Sequence, residues 1–155
     1  YSILFKQKEK IKMSSDKQKI NTIFIIEVLG KPVEHLKEAL EEIIGKIGAE
    51  KNVKIVSKSI AEPTELPKNP GMFTSYAEIE IELENPLALA ILVFKYMPAH
   101  IDVIEPEHLS LTNKGFNDIL NELARRLHGY DHVARVIQAE KQMLEKKVKE
   151  LSPKK

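Results

Sequence analysis

His128 and His132 stand four residues apart, with Asp131 beside them. On a helix that spacing presents two imidazoles to one metal ion. Gly129 occupies the position where a zinc protease of the His-Glu-x-x-His type carries its glutamate. Two histidines alone do not close a site, so surface imidazoles are the simpler reading. A second group is acidic. Glu27, Glu78, Glu80, Glu82 and Asp102 are expected to meet on one face of a sheet, where clustered carboxylates can hold a divalent cation. The simpler reading is again a solvated stripe on alternating positions. Glu78, Glu80, Asp102, His128 and His132 are therefore the metal candidates, with His100 and His108 flanking the same strand as Asp102. The sequence has no cysteine, which excludes disulfides and thiolate catalysis. Gly45 and Gly48 fall at a helix end and not before a helix start, so they do not form a phosphate-binding loop. No serine, histidine or lysine has the context of an activated nucleophile. A non-enzymatic protein without a cofactor is expected.

Composition narrows the class further. A chain of 155 residues can bury one real core. It contains no run of about 18 apolar residues that would cross a membrane; the most apolar stretch, Pro86 to Met97, reads as a short buried helix. The cysteine-free composition fits a cytoplasmic location. Abundant Lys, Glu and Ile resemble the balance of heat-adapted proteins. A net charge of +1 hides an asymmetry. Residues 1–19 carry six Lys against Glu9 and Asp16, and residues 113–155 carry ten basic residues against six acids. The segment between them carries eight Lys against fifteen acids. Basic ends can touch nucleic acid or an acidic partner; the simpler reading is solvated tails. Met13-Ser14-Ser15-Asp16 reads as a natural start, so residues 1–12 carry no weight in the fold argument.

The elements that must position these groups follow from pattern. Ile20 to Leu29 is β-branched and apolar on both sides, as a central strand is. Pro32 suits a first helical position, and Val33, Leu36, Leu40, Ile43, Ile44 and Ile47 form a helical stripe ending at Gly48. Val53 to Ala61 is a second strand, and the three prolines of 62–71 mark a loop. From Phe73 to Leu83, Ala77, Ile79, Ile81 and Leu83 alternate with Tyr76, Glu78, Glu80 and Glu82, the pattern of a half-buried strand. Asn85-Pro86 reads as an N-cap followed by the first helical residue. Pro98 ends that helix, and His100 to Ile104 is a fourth strand closed by Glu105-Pro106. The order β-α-β-β-α-β predicts an α+β, ferredoxin-like sandwich over residues 20–112 with both helices on one face and the first and third strands central. A basic tail, 1–19, precedes it.

Residues 113–155 read as one long amphipathic helix with a coiled-coil character. Its apolar positions step by four and three: Phe116, Leu120, Leu123, Leu127, Tyr130, Ala134, Ile137, then Leu144, Val148 and Leu151, with Lys141 alone interrupting. That 3.5-residue period makes a seam for a partner helix. Around Phe116, Ile119, Leu120, Leu123 and Leu127 the stripe is wide, as for packing on its own domain. Beyond Tyr130 it narrows into the seam, and Gly129, where the two meet, suggests a kink or break. The open sheet face adds a partly apolar set, either Ile23, Ile25 and Leu29 or Phe24, Ile26 and Val28. The start of the long helix, a second subunit, or both are expected to cover it. The expected interface therefore comprises Tyr130, Ile137, Lys141, Leu144, Val148, Leu151, Ile23 and Ile25. The partner is a second copy, giving at least a dimer, with another protein as a further partner. RNA is not expected on the sheet face, because Glu78, Glu80 and Glu82 stand where the RNA-recognition motif stacks bases.

The stretch Phe94-Lys95-Tyr96-Met97-Pro98-Ala99-His100-Ile101-Asp102-Val103-Ile104-Glu105-Pro106-Glu107-His108-Leu109 resembles the C-terminal extension of WYL-domain regulators. There too a hydrophobic helix runs through a tight turn into a strand ended by proline, then into a helix. The resemblance implies a ferredoxin-like fold and a regulatory, oligomerising role. The topology is also similar to that of ACT-like regulatory modules, whose ligand-binding glycine turn would fall at Gly30. The leading expectation is a non-enzymatic oligomeric scaffold or regulatory subunit. Alternatives are an ACT-like ligand or metal sensor and a nucleic-acid-associated protein using its basic ends.

Overall fold

The computed structural model describes residues 18–152. The expectations for residues 1–17 and 153–155 lie outside that range. Eight elements follow in chain order: β1 (Ile20–Gly30), α1 (Glu34–Gly48), β2 (Val53–Ile60), β3 (Thr64–Glu65), β4 (Phe73–Leu83), α2 (Pro86–Tyr96), β5 (His100–Glu105) and α3 (Asn113–Leu151). The result is an α+β chain with an open antiparallel sheet and a long C-terminal helix. The long strands lie in the order β2-β4-β1-β5, and β3 adds a short pairing to β4.

The central pair is set by register. β1 and β4 run antiparallel from Ile20 opposite Leu83 to Gly30 opposite Phe73. Because strand side chains alternate, this register puts Ile20, Phe24 and Ile26 on the face shared by Ala77, Ile79, Ile81 and Leu83, all of them buried. Leu40, Ile44 and Ile47 of α1 and Leu89 and Leu92 of α2 close that face into one core. Each fully buried large aliphatic or aromatic side chain stabilises by about 1.5–3 kcal/mol. The choice left open for β1 is thereby settled: Phe24, Ile26 and Val28 pack into the core, and Ile23, Ile25 and Leu29 point the other way.

Local chemistry explains the helix starts. The Asn85 side chain accepts a hydrogen bond from the Ala88 N–H at 2.7 Å, with Pro86 as the first helical residue. α2 ends at Met97, whose φ of 47° is the left-handed conformation of a helix C-terminus. Pro32 does not open α1. It sits in the turn ahead of it, its carbonyl accepting from the His35 N–H at 3.2 Å, and the helix begins at Glu34. The expected loop at 62–71 contains the two-residue β3, paired through Thr64 opposite Thr74. β2 is not a regular strand either. Its register shifts between Ile55 and Ser57, leaving Val56 as the extra residue. The shift places Ser57 and Ser59 opposite Glu80 and Glu78, and Lys58 opposite core-facing Ile79, where it reaches Glu41 of α1 at 2.7 Å.

α3 departs from expectation in two ways. It is one helix through Gly129, around which an added Cβ would meet nothing within 4 Å. Its packing partner is α2, not the open sheet face. α2 is apolar nearly all round, so it can be covered by the sheet on one side and by α3 on the other.

Candidate functional site

α3 is built to stay helical. Thr112 caps it by accepting from the Gly115 N–H at 3.1 Å, and 39 residues give a rod of about 58 Å. Its first half is held on α2. Along this half Gly115 is buried, and Ile119, Glu122, Leu123 and Arg126 are half-buried. Of the five apolar residues expected to pack on the domain here, Ile119 and Leu123 are half-buried, whereas Phe116, Leu120 and Leu127 stay exposed. The rest of the contact is ionic. The Glu122 carboxylate accepts from Arg125 Nη2 at 2.6 Å and from Arg126 Nε at 2.7 Å. Arg126 Nη1 in turn donates to the Phe94 carbonyl in the last turn of α2 at 3.4 Å. The Arg125 hydrogen bond, with Arg126 assisting, holds the Glu122 carboxyl below its ordinary pKa against the opposing effect of burial.

Apart from Leu123, which takes part in this contact, the seam positions lie to one side of it and remain open. Phe116, Leu120, Leu127, Tyr130, Ile137, Leu144, Val148 and Leu151 are between 45% and 84% exposed. Ala134 and Lys141 are exposed as well. Val133 and Val136 add to the apolar surface at 54% and 43%. Every described residue from Leu127 onward is exposed, so the distal half projects from the domain by about 30 Å. Where α3 leaves α2, a groove of about 280 Å³ opens between Phe94, Met97 and Pro98 on one side and Leu123, Leu127 and Tyr130 on the other. Arg126 stands in its wall. Two ion pairs lie on the outer part of the rod, Asp131 with Arg135 at 2.9 Å and Lys141 with Glu145 at 3.8 Å.

Among the described residues nothing covers the open sheet face, which is a second exposed surface. Across it run Ser57–Glu80–Ile23–Asp102 and Ser59–Glu78–Ile25–His100. Ile23 and Ile25 are only half-buried, with exposed Leu29 and Tyr76 at the far end of the pair of central strands.

The MJ0538 family model matches residues 21–153. The chain belongs to the MJ0538 family. No curated protein and no solved structure matches it. The matched span contains both the sheet and the projecting helix, so in the MJ0538 family the rod is part of the same unit as the sheet.

The metal candidates of this MJ0538-family chain do not converge. Glu80 and Asp102 sit on opposite sides of β1, with Ile23 between them. Two strand spacings separate them by about 9.6 Å of backbone. Glu80 is occupied by weak contacts to Asn21 Nδ2 at 3.4 Å and Ser57 Oγ at 3.3 Å. Glu78 lies in the neighbouring row, beside Ile25. His128 and His132 are exposed on the rod, and Asp131 is engaged by Arg135. Among the described residues no three His, Cys, Asp or Glu side chains come together as a metal-binding group. Glu82, on the same face, pairs with Lys19 at 2.9 Å, whose hydrogen bond lowers the Glu82 pKa. Glu50 pairs with Lys95 and accepts from Tyr96 Oη at 2.6 Å, tying the end of α1 to the end of α2.

Reasoning from sequence missed Glu122, Arg126, Phe94 and Met97. For Glu122 and Arg126 a signal existed, because a Glu four residues before an Arg is a favourable helix pair. For Phe94 and Met97 none did, since the groove exists only once α3 lies on α2.

Proposed function

We propose that this chain is a non-enzymatic, self-associating module that works as a scaffold or regulatory subunit, and that α3 is its interface. One observation carries the reading: the seam from Phe116 to Leu151 faces solvent along nearly its whole length. A helix with eight large apolar side chains in a 3.5-residue repeat gains by burying them against a like helix. The β2-β4-β1-β5 order, with both early helices on one face, supports a ferredoxin-like reading of the domain. The resemblance of residues 94–109 to the WYL-regulator extension fits the same regulatory, oligomerising role. An ACT-like ligand site has less support. Its turn would lie at Gly30, whereas the cleft of about 490 Å³ between the start of β2 and the end of β4 lies next to Gln18 and Lys19, toward the other end of β1. Binding of nucleic acid by the sheet face is opposed by Glu78, Glu80, Glu82 and Asp102.

Light scattering at micromolar concentration tests the reading. At least a dimer mass is expected, and truncation after Gly129 should reduce it to the monomer. A 17.7 kDa monomer for the full chain would refute the proposal. A dimer that survives the truncation would move the interface to the sheet face around Ile23 and Ile25.

A further inference from the structure

The direction in which two such rods would pair is written in the sizes and charges along the seam. In heptad terms Leu120, Leu127, Ala134, Lys141 and Val148 are a positions, and Phe116, Leu123, Tyr130, Ile137 and Leu144 are d positions. A parallel pair sets each residue opposite its own copy. Tyr130 then meets Tyr130 and Ala134 meets Ala134, so a crowded layer adjoins an underfilled one. Lys141 meets Lys141, and Glu140 faces Glu145 across the flank.

An antiparallel pair sets a against d. Centred at the level of His132, it brings Tyr130 opposite Ala134, large against small. Leu127 then meets Ile137, Leu120 meets Leu144, and Phe116 meets Val148. Lys141 comes opposite Leu123, which its stem can cover while the ammonium reaches water. On one flank Arg126 faces Glu140 of the second copy, twice by symmetry. On the same flank Val133, 54% exposed, faces its own copy at the centre. Asp131 meets its own copy on the other flank, where Arg135 of the same helix already neutralises it at 2.9 Å.

The Arg126 flank is also the side on which the groove lies, walled by Phe94, Met97 and Pro98. We infer that a second copy's α3 runs antiparallel to this one, its residues 137–148 lying along residues 116–127 and closing that groove. The inference rests on the proposed self-association through α3 and adds its geometry. Arg126 then joins three helices: it binds Glu122 in its own helix and Phe94 in α2, and it meets Glu140 of the second copy.

The absence of native cysteine makes the test clean. Leu120→Cys and Leu144→Cys are made separately, and both positions are exposed in the single chain. In the antiparallel pair each introduced thiol is about 36 Å from its own copy and adjacent to the other variant's thiol. A disulfide requires Cα atoms within about 7 Å. Mixing the two variants under mild oxidation should give the mixed disulfide dimer, while each alone should give none. A Leu144→Cys dimer formed with itself would overturn the antiparallel geometry and leave self-association intact. A dimer mass by light scattering with neither disulfide would also overturn it. A monomer mass for the wild type would remove the underlying reading as well. For the groove, an environment-sensitive dye on Met97→Cys should shift to the blue as protein concentration rises. An unchanged spectrum in a sample that is dimeric by mass would overturn the seating of the second helix there.

Discussion

Ile137→Ala isolates the contribution of the seam. Ile137 lies in the projecting half of α3 and is 59% exposed, so the substitution takes nothing from the core of its own chain. Ala is also the better helix former, so a loss of association could not be ascribed to a weakened rod. Burying an Ile side chain fully is worth about 1.5–3 kcal/mol, and the share still exposed corresponds to about 1–2 kcal/mol. Two copies lose it in a symmetric dimer, about 2–4 kcal/mol in all. At about 1.4 kcal/mol per tenfold, the dissociation constant should rise roughly 30- to several-hundred-fold. Sedimentation equilibrium across a dilution series measures the constant, and circular dichroism at 222 nm verifies that helix content holds. Equal constants for wild type and variant, with helix content preserved, would show that the seam beyond Tyr130 is not the interface.

Three further outcomes are expected. Lys141→Leu should raise the melting temperature and change or broaden the oligomer distribution seen by native mass spectrometry; an unchanged melt and mass would leave residues 131–151 an unpaired stripe. Asn85→Ala removes the acceptor for the Ala88 N–H and should cost about 1 kcal/mol, a fall in Tm of about 2–4 °C by calorimetry for a chain of this size. Acid should destabilise the domain through Glu122 and Glu50, whose pKa values are lowered chiefly by hydrogen bonds from Arg125 and Lys95. A depressed carboxyl stabilises fully above its unfolded value, near 4.3, and loses that contribution as the pH falls through the folded value. Thermal melts from pH 6 to pH 3 should therefore fall, and Glu122→Gln should flatten the decline.

How far the sequence discloses this molecule depends on whether a feature is local. β4 was legible because Ala77, Ile79, Ile81 and Leu83 alternate with polar residues, and the start of α2 because Asn85 and Pro86 do their work within one turn. β1 was legible as a strand but not as to its faces. Isoleucine occupies both, and only pairing with β4 assigns Phe24 to the core and Ile23 to the surface. The acidic residues show a similar limit: alternation places the carboxylates on one face, but only strand order sets Ile23 between Glu80 and Asp102. The bulge at Val56 left no periodic trace, because Ser57, Lys58 and Ser59 are polar in any register. On α3 the apolar period displayed the exposed stripe and, through Ile119 and Leu123, the apolar part of the side that meets α2. It could not display the ionic part, held by Glu122 and Arg126.

The unbroken passage of α3 through Gly129 has an evolutionary corollary. With no flexible joint between the half bound to α2 and the half that projects, the direction in which the distal stripe faces is fixed by counting residues. One residue inserted between Tyr130 and Ile137 would swing everything beyond it by about 100° about the rod axis, whereas seven would return it almost to its starting azimuth. Members of the MJ0538 family that lengthen or shorten this tail are therefore expected to do so in whole heptads. With α3 as the proposed interface, the tail would behave as a keyed shaft, changing length only in steps that keep its phase.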